Sequence, residues 1–136
     1  MKFNIIKSEN EALIKSLHSD VFEFDSFCEN SDNQYWVIRT ENKFPAGFCI
    51  LTKLSDDIAF LSRSGVLKKY RGNKLQKRMI RTREKYARKM GFKSVITYTK
   101  IHNIKSSVSL QKSGYMMYKP EYEYADKDCI YWIKVL

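Results

Sequence analysis

The spacing of hydrophobic residues changes at Asn73, and that change most constrains the fold. Before Asn73 the hydrophobic residues lie in short runs rich in β-branched and aromatic side chains, at 35–38, 46–51 and 58–67, which predict three strands joined by turns. After it they recur about every 3.6 residues up to Gly91, which predicts an amphipathic helix that ends at this glycine. An antiparallel meander followed by a helix indicates an α/β fold with strands of mixed direction.

The remaining segments complete a single domain. Residues 3–6 predict a strand, 13–21 a helix, and the aromatic, acidic stretch 22–33 a second short helix or an ordered loop. Further strands are predicted at 93–99, 115–119 and 129–135, with a short helix at 106–113. No repeat or linker divides residues 1–136, so we expect one domain with a single mixed sheet of about seven strands and about four helices.

Positive charge is concentrated in one segment. Residues 68–89 contain eleven Lys or Arg and one acid, Glu84, so this segment accounts for the whole net charge of +10. Such a segment is expected beside an anionic ligand or partner, or else forms a well-solvated helix face.

Composition excludes several classes of protein. No apolar run approaches the ~20 residues of a membrane-spanning helix, so we expect no membrane insertion. Cys28, Cys49 and Cys129 are odd in number and widely spaced, which argues against a disulfide framework and against a zinc site. We therefore expect no bound metal and a reducing, cytoplasmic environment.

The junction between the third strand of the meander and the long helix is the first candidate site. A helix that directly follows a strand leaves its first backbone N–H groups unpaired, and together with the helix dipole they attract anions such as pyrophosphate. Gly72 lies in this junction and permits a ligand to approach the backbone closely. An ordinary loop that caps the helix would contain the same kinds of residue. The junction alone is therefore compatible with an anion site and with a simple helix cap.

A second segment, one predicted strand further on, adds to this pattern. Arg71-Gly72 opens the long helix, Asn103 follows the next strand, and Gly114-Tyr115 follows Asn103 without an insertion. In this combination the chain resembles the GNAT superfamily of acyl-CoA-dependent N-acyltransferases. The resemblance implies a GNAT fold, with its sheet splayed between the fourth and fifth strands, and acetyl-CoA as cosubstrate. It also implies that a primary amine attacks the thioester directly and receives the acetyl group.

The resemblance also implies a set of cofactor-binding residues. The strand that ends at Val66 and Leu67 is expected to offer main-chain groups to the pantetheine arm, and residues 71–76 are expected to hold the pyrophosphate. Asn103 is expected to hydrogen-bond the pantetheine amide, although a turn or helix cap is the other interpretation of this residue. The full set is Val66, Leu67, Arg71, Gly72, Asn73, Lys74, Leu75, Gln76, Asn103 and Ser106.

Three positions depart from the family pattern, and one of them is Gln76, where the family often has Gly or Ala. The second glycine of the Arg-Gly-x-Gly loop is Lys74, whose Cβ crowds the diphosphate while its ammonium can pair with a phosphate. The tyrosine that often serves as general acid is replaced by Leu110, which cannot protonate a leaving thiolate. The acid must then be another residue, a water molecule or the ammonium of the substrate.

The catalytic candidates are therefore few. Asp57 stands just before the strand that enters the junction, where the family often has an acidic general base, but a turn residue that caps its own loop is the other interpretation. Tyr115 is the candidate acid, with Tyr98 and Tyr118 as nearby phenols, although tyrosines in strands mostly pack in the core. His102, beside Asn103, could act as a base near neutral pH.

The sequence does not identify the acceptor, which can be a small molecule, a protein or an amine carried on a tRNA. A homodimer is compatible with each of these acceptors. The alternative to an enzyme is a catalytically weak or inactive GNAT-fold protein that binds nucleic acid or another acidic partner through the basic helix. That helix carries one aromatic residue, Tyr86, on its apolar face, and no nucleic-acid reader motif.

Overall fold

Seven strands form one mixed sheet in the computed structural model, which describes residues 1–136. The strands are β1 (Phe3–Ser8), β2 (Asn33–Thr40), β3 (Pro45–Lys53), β4 (Ile58–Val66), β5 (Ser94–Lys100), β6 (Met116–Met117) and β7 (Cys129–Val135). Their order across the sheet is β1-β2-β3-β4-β5-β7-β6, and all neighbours are antiparallel except β4 and β5. The predicted α/β class and the single mixed sheet are confirmed.

Three α-helices cover the two faces of the sheet: α1 (Glu11–Val21), α2 (Leu75–Lys89) and α3 (Ile104–Lys112). Because successive strand residues point to opposite faces, β2 contributes to two cores. Val37 packs with Ile14 of α1, whereas Trp36 belongs to the larger core with Met79 of α2 and Leu110 of α3. None of the helices combines the length and the apolar composition that crossing a membrane requires.

The number of helices and some boundaries differ from the prediction. Residues 22–32 form turns and an irregular connection, in which Phe22 and Phe27 pack against the core under α1 and Asp25 pairs with Arg63 at 2.9 Å. One short 3-10 helix, Lys68–Tyr70, precedes α2. The predicted strand 115–119 is reduced to β6, because the N–H of Tyr115 closes the end of α3 by donating to the carbonyl oxygen of Leu110 at 3.0 Å.

The start and the buried face of α2 also differ from the prediction. The helix begins at Leu75 rather than at Asn73, because Gly72 and Lys74 have positive φ angles, which a right-handed helix does not accommodate. Met90 follows the last residue of the helix and is 56% exposed, although it lies four residues after Tyr86 of the predicted apolar face. Arg83 is only 1% exposed, so the basic residues of α2 do not all lie on the solvated face.

Candidate active-site cleft

The two parallel strands separate shortly after they begin to pair. Register between β4 and β5 extends over three residue pairs only, from Ile58 with Ser94 to Phe60 with Ile96. One residue further, the strands are joined through a side chain, since the hydroxyl of Thr97 donates to the carbonyl oxygen of Leu61 at 2.9 Å. Beyond this point β4 has no ladder partner on its β5 side, and the predicted splay between the fourth and fifth strands is confirmed.

A β-bulge on the other side of β4 lies beside the splay. The register passes from Cys49 with Ser64 to Leu51 with Leu61, so two residues of β4, Ser62 and Arg63, stand opposite one residue of β3. Bulges of this kind redirect side chains and are frequent next to active sites. Arg63 is redirected to a place where it lines both of the cavities described below.

A buried arginine fills the interior of this bulge. The guanidinium of Arg83 donates through Nη1 to the carbonyl oxygens of Ile50 and Ser62, both at 3.0 Å, and through Nε to that of Met79 at 3.2 Å. The two bonds from Nη1 satisfy carbonyl groups at the irregularity of the ladder. Arg83 thereby fixes the shape of β4 where the strands part. Its position could have been inferred from its spacing of four residues from Met79 and from Ala87, which are both buried.

The splay opens into a cleft of about 540 Å³. Three of the predicted cofactor-binding residues line it: Gln76 in the first turn of α2, and Asn103 and Ser106 at the start of α3. Asn103 is also the N-cap of α3, because its Oδ1 accepts from the N–H of Ser106 at 3.2 Å. Its amide nitrogen is not used by this cap, so the capping and the binding interpretations are compatible. Leu110 lines the same cleft.

The other predicted cofactor-binding residues lie in the junction beyond the cleft. Arg71 folds back so that its Nε donates to the carbonyl oxygen of Val66 at 3.0 Å, and the amide of Asn73 donates to that of Tyr70 at 2.8 Å. Gly72 has a φ of +86°, and Lys74 is the N-cap of α2 in the left-handed conformation. The remaining members of the set differ in exposure: Leu67 is half-buried and Leu75 is buried.

Neither predicted catalytic residue lines the cleft. Asp57 precedes β4, where its backbone oxygen accepts from the N–H groups of Lys93 and Ser94 and its carboxylate lies 3.6 Å from the ammonium of Lys93. Tyr115 is 3% exposed in the larger core, and burial, reinforced by Glu84, raises the pKa of its hydroxyl well above the ordinary value.

The remaining titratable side chains proposed from the sequence also supply neither a base nor a metal site in the cleft. His102 is exposed and also lies outside the lining. No three side chains of His, Cys, Asp or Glu form a group that could hold a metal ion.

A second cavity, of about 390 Å³, meets the first at the splay. The two cavities share Phe60, Ser62, Arg63 and Tyr98. His18 of α1 lines the second cavity and is 2% exposed, with Nε2 3.4 Å from Nη1 of Arg63. Burial, and after it the charge of Arg63, lower the pKa of His18, while Asp25 opposes this shift.

Sequence reasoning missed His18 as a residue of this region. The signal that could have found it is its spacing of four residues from Ile14, which places it on the buried face of α1. That it meets Arg63 of β4 depends on how α1 packs on the sheet.

Several solved acetyltransferases share this fold over nearly their whole length. An acetyltransferase from Streptococcus agalactiae 2603 is similar with a TM-score of 0.78 at 20% identity, covering 98% of each chain. The IAA acetyltransferase from Bacillus cereus ATCC 14579 has a TM-score of 0.80 at 16% identity, covering 99% of this chain and 100% of that one. A GNAT family acetyltransferase from Elizabethkingia anophelis, solved with acetyl-CoA bound, has a TM-score of 0.78 at 10% identity over 98% of each chain. At these identities the similarity establishes the fold.

The sequence itself matches the Acetyltransferase (GNAT) family over residues 4–115, which is more than half of the chain. The chain therefore belongs to the GNAT acetyltransferase family, and the resemblance carried by Arg71-Gly72, Asn103 and Gly114-Tyr115 is confirmed. No curated protein matches the sequence.

Proposed function

We propose that this protein is an acetyl-CoA-dependent N-acetyltransferase that transfers the acetyl group to a primary amine by direct attack. The observation that carries this proposal is the separation of β4 from β5, which opens a cleft lined by Gln76, Asn103 and Ser106. Membership of the GNAT acetyltransferase family supports it, as does the fold shared with an acetyltransferase that binds acetyl-CoA.

The residues present fit the parts of acetyl-CoA. The first N–H groups of α2 have no partner within the helix and suit the diphosphate, and the exposed ammonium of Lys74 lies at the same helix end. The residues of β4 beyond Leu61 have no partner on β5, so backbone groups on that side of the strand can pair with the amides of the pantetheine arm. The amide nitrogen of Asn103 and the hydroxyl of Ser106 are free to bind the same arm from α3.

In this arrangement the thioester lies at the splay and the acceptor amine approaches through the second cavity. The amine nitrogen forms a bond to the carbonyl carbon, the C–S bond breaks, and the thiolate takes up the proton that the amine loses. Asp57 and Tyr115 lie outside the lining of both cavities, so we propose His18 as the group that receives the proton of the amine. An imidazole that burial keeps neutral at pH 7 can accept a proton there.

The basic face of α2 gives a weaker case for the alternative function. Exposed Lys77, Arg81, Lys85 and Arg88 would suit an acidic partner. The family match and the similar structures are to acetyltransferases and give the nucleic-acid-binding alternative no support.

Titration calorimetry with acetyl-CoA tests the proposed function. We expect saturable binding and a higher melting temperature, because a ligand that binds only the native state stabilises it. Ser106→Trp should fill the cleft and weaken binding by about tenfold or more, whereas Ser16→Trp, on the exposed surface of α1, should leave it unchanged. Absence of both binding heat and a thermal shift at millimolar acetyl-CoA would rule out the proposal.

A further inference from the structure

Aromatic rings form much of the wall of the second cavity. Phe60 of β4 lies 5.9 Å from Tyr98 of β5 and 6.0 Å from Tyr124 of the β6–β7 connection, measured between ring centroids. Tyr98 and Tyr124 are 6.3 Å apart, and Phe27 adds a fourth ring to the lining. Rings at these separations offer edges and faces to a further aromatic group.

Charged side chains are almost absent from this cavity. No Asp or Glu lines it, and its one permanently charged residue, Arg63, is paired with Asp25 at 2.9 Å. The lowered pKa of His18 keeps that side chain neutral near pH 7. An acceptor with several ammonium groups would lose hydration here without gaining an ion pair, which is unfavourable.

Several polar side chains of the cavity are bonded to one another. The hydroxyl of Thr52 donates to Oδ1 of Asn33 at 2.6 Å and also contacts the hydroxyl of Ser62. The amide nitrogen of Asn33 donates to the carbonyl oxygen of Cys28 at 3.1 Å. Because these groups satisfy each other, the surface that remains for a ligand is mainly aromatic and aliphatic.

We infer that the second cavity receives the acceptor, and that the acceptor is a small monoamine with an aromatic body, an arylalkylamine, rather than a polyamine or a lysine side chain. This inference rests on the proposed function, since the amine must meet the thioester near Ser62, which both cavities share. The aromatic walls hold the ring of the acceptor. The guanidinium of Arg63 favours the neutral amine, which is the form that attacks.

The acceptor preference is measured by the release of CoA thiol from acetyl-CoA with phenethylamine, spermidine or a lysine-containing peptide. We expect kcat/KM for phenethylamine to exceed that of the other two by about tenfold or more. A higher value for spermidine or the peptide overturns the inference.

Substitutions at Tyr124 test the cavity itself. Tyr124→Leu removes one ring and should raise KM for phenethylamine by about fivefold, while the affinity for acetyl-CoA stays unchanged. Tyr124→Phe keeps the ring but loses the hydrogen bonds of the hydroxyl group to Tyr118 and to the carbonyl oxygen of Thr97, so its KM should rise less than that of Tyr124→Leu. Tyr122→Leu is the matched control, because Tyr122 is exposed and lies outside the cavity. Equal KM values for Tyr124→Leu and Tyr122→Leu would contradict the assignment.

Two binding measurements separate failure of this inference from failure of the proposed function. Calorimetry reports acetyl-CoA binding, and NMR saturation transfer reports phenethylamine binding without turnover. Binding of acetyl-CoA together with no binding of phenethylamine overturns the acceptor inference alone. Absence of acetyl-CoA binding overturns the proposed function. If phenethylamine still shows saturation transfer in that case, and Tyr124→Leu weakens it, the second cavity binds an aromatic ligand.

Discussion

Lys74 is the residue at which one substitution tests the strand–loop–helix junction. Its φ of 58° and ψ of 28° place it in the left-handed region, although it carries a Cβ. A non-glycine residue in this conformation is strained by about 1–2 kcal/mol. Its side chain forms no capping hydrogen bond and no ion pair, so removing it breaks neither kind of interaction.

Lys74→Gly should therefore stabilise the protein. Glycine relieves the strain of the folded state but makes the unfolded chain more flexible, which costs about 0.4–1 kcal/mol. The difference is a net gain of about 0.5–1 kcal/mol, or roughly 2–4 °C in melting temperature for a domain of this size. Lys74→Ala keeps the strain and should give no such gain.

Thermal unfolding of the three proteins measures this difference. Lys77→Gly is the matched control, because Lys77 is exposed in the interior of α2, where glycine should cost about 1 kcal/mol. If Lys74→Gly is no more stable than Lys74→Ala, the left-handed backbone at this position is not a source of strain.

The same variants separate the two effects of Lys74 on acetyl-CoA. Loss of the ammonium in Lys74→Ala removes a charge pair worth up to about 1 kcal/mol, so binding should weaken by a few-fold. Lys74→Gly also removes the Cβ that crowds the diphosphate, and it should bind acetyl-CoA more tightly than Lys74→Ala. Titration calorimetry measures both affinities. Much tighter binding by both variants than by the parent would mean that Lys74 obstructs the site.

Two further predictions concern the buried polar residues. Arg83→Met should lower the free energy of unfolding by about 3 kcal/mol, because it leaves the carbonyl groups of Ile50 and Ser62 without this donor. Denaturant titration measures this loss, and an equal loss in the exposed control Arg81→Met would contradict the prediction. Stability should fall as the pH drops below about 6.5, because unfolded His18 binds a proton more readily than the folded residue, whose pKa is lowered. His18→Leu should reduce this dependence of the melting temperature on pH and His102→Leu should not, so equal slopes would refute the assignment.

The sequence by itself determined the order of the elements and the family. The change of hydrophobic spacing at Asn73 predicted the passage from the meander to α2, because periodicity reflects which side of an element faces the core. The spacing between Arg71-Gly72 and Asn103 can be read directly from the sequence, and it indicated the GNAT family. Predicted residues such as Gln76 and Asn103 line the cleft because the strand–loop–helix connections place them there.

Only the tertiary structure decided which polar side chains reach the splay. Arg83 reads as one basic residue among many in α2, yet it is buried because the bulge between β3 and β4 offers it carbonyl groups from residues 21 and 33 positions away. Tyr115 and Asp57 are close in sequence to the predicted site, but core packing and the turn before β4 keep them out of the cleft lining. The second cavity joins side chains of α1, β3, β4, β5 and the β6–β7 connection. Its aromatic character arises from packing between segments that are distant in the chain, so it cannot be predicted from the pattern of neighbouring residues.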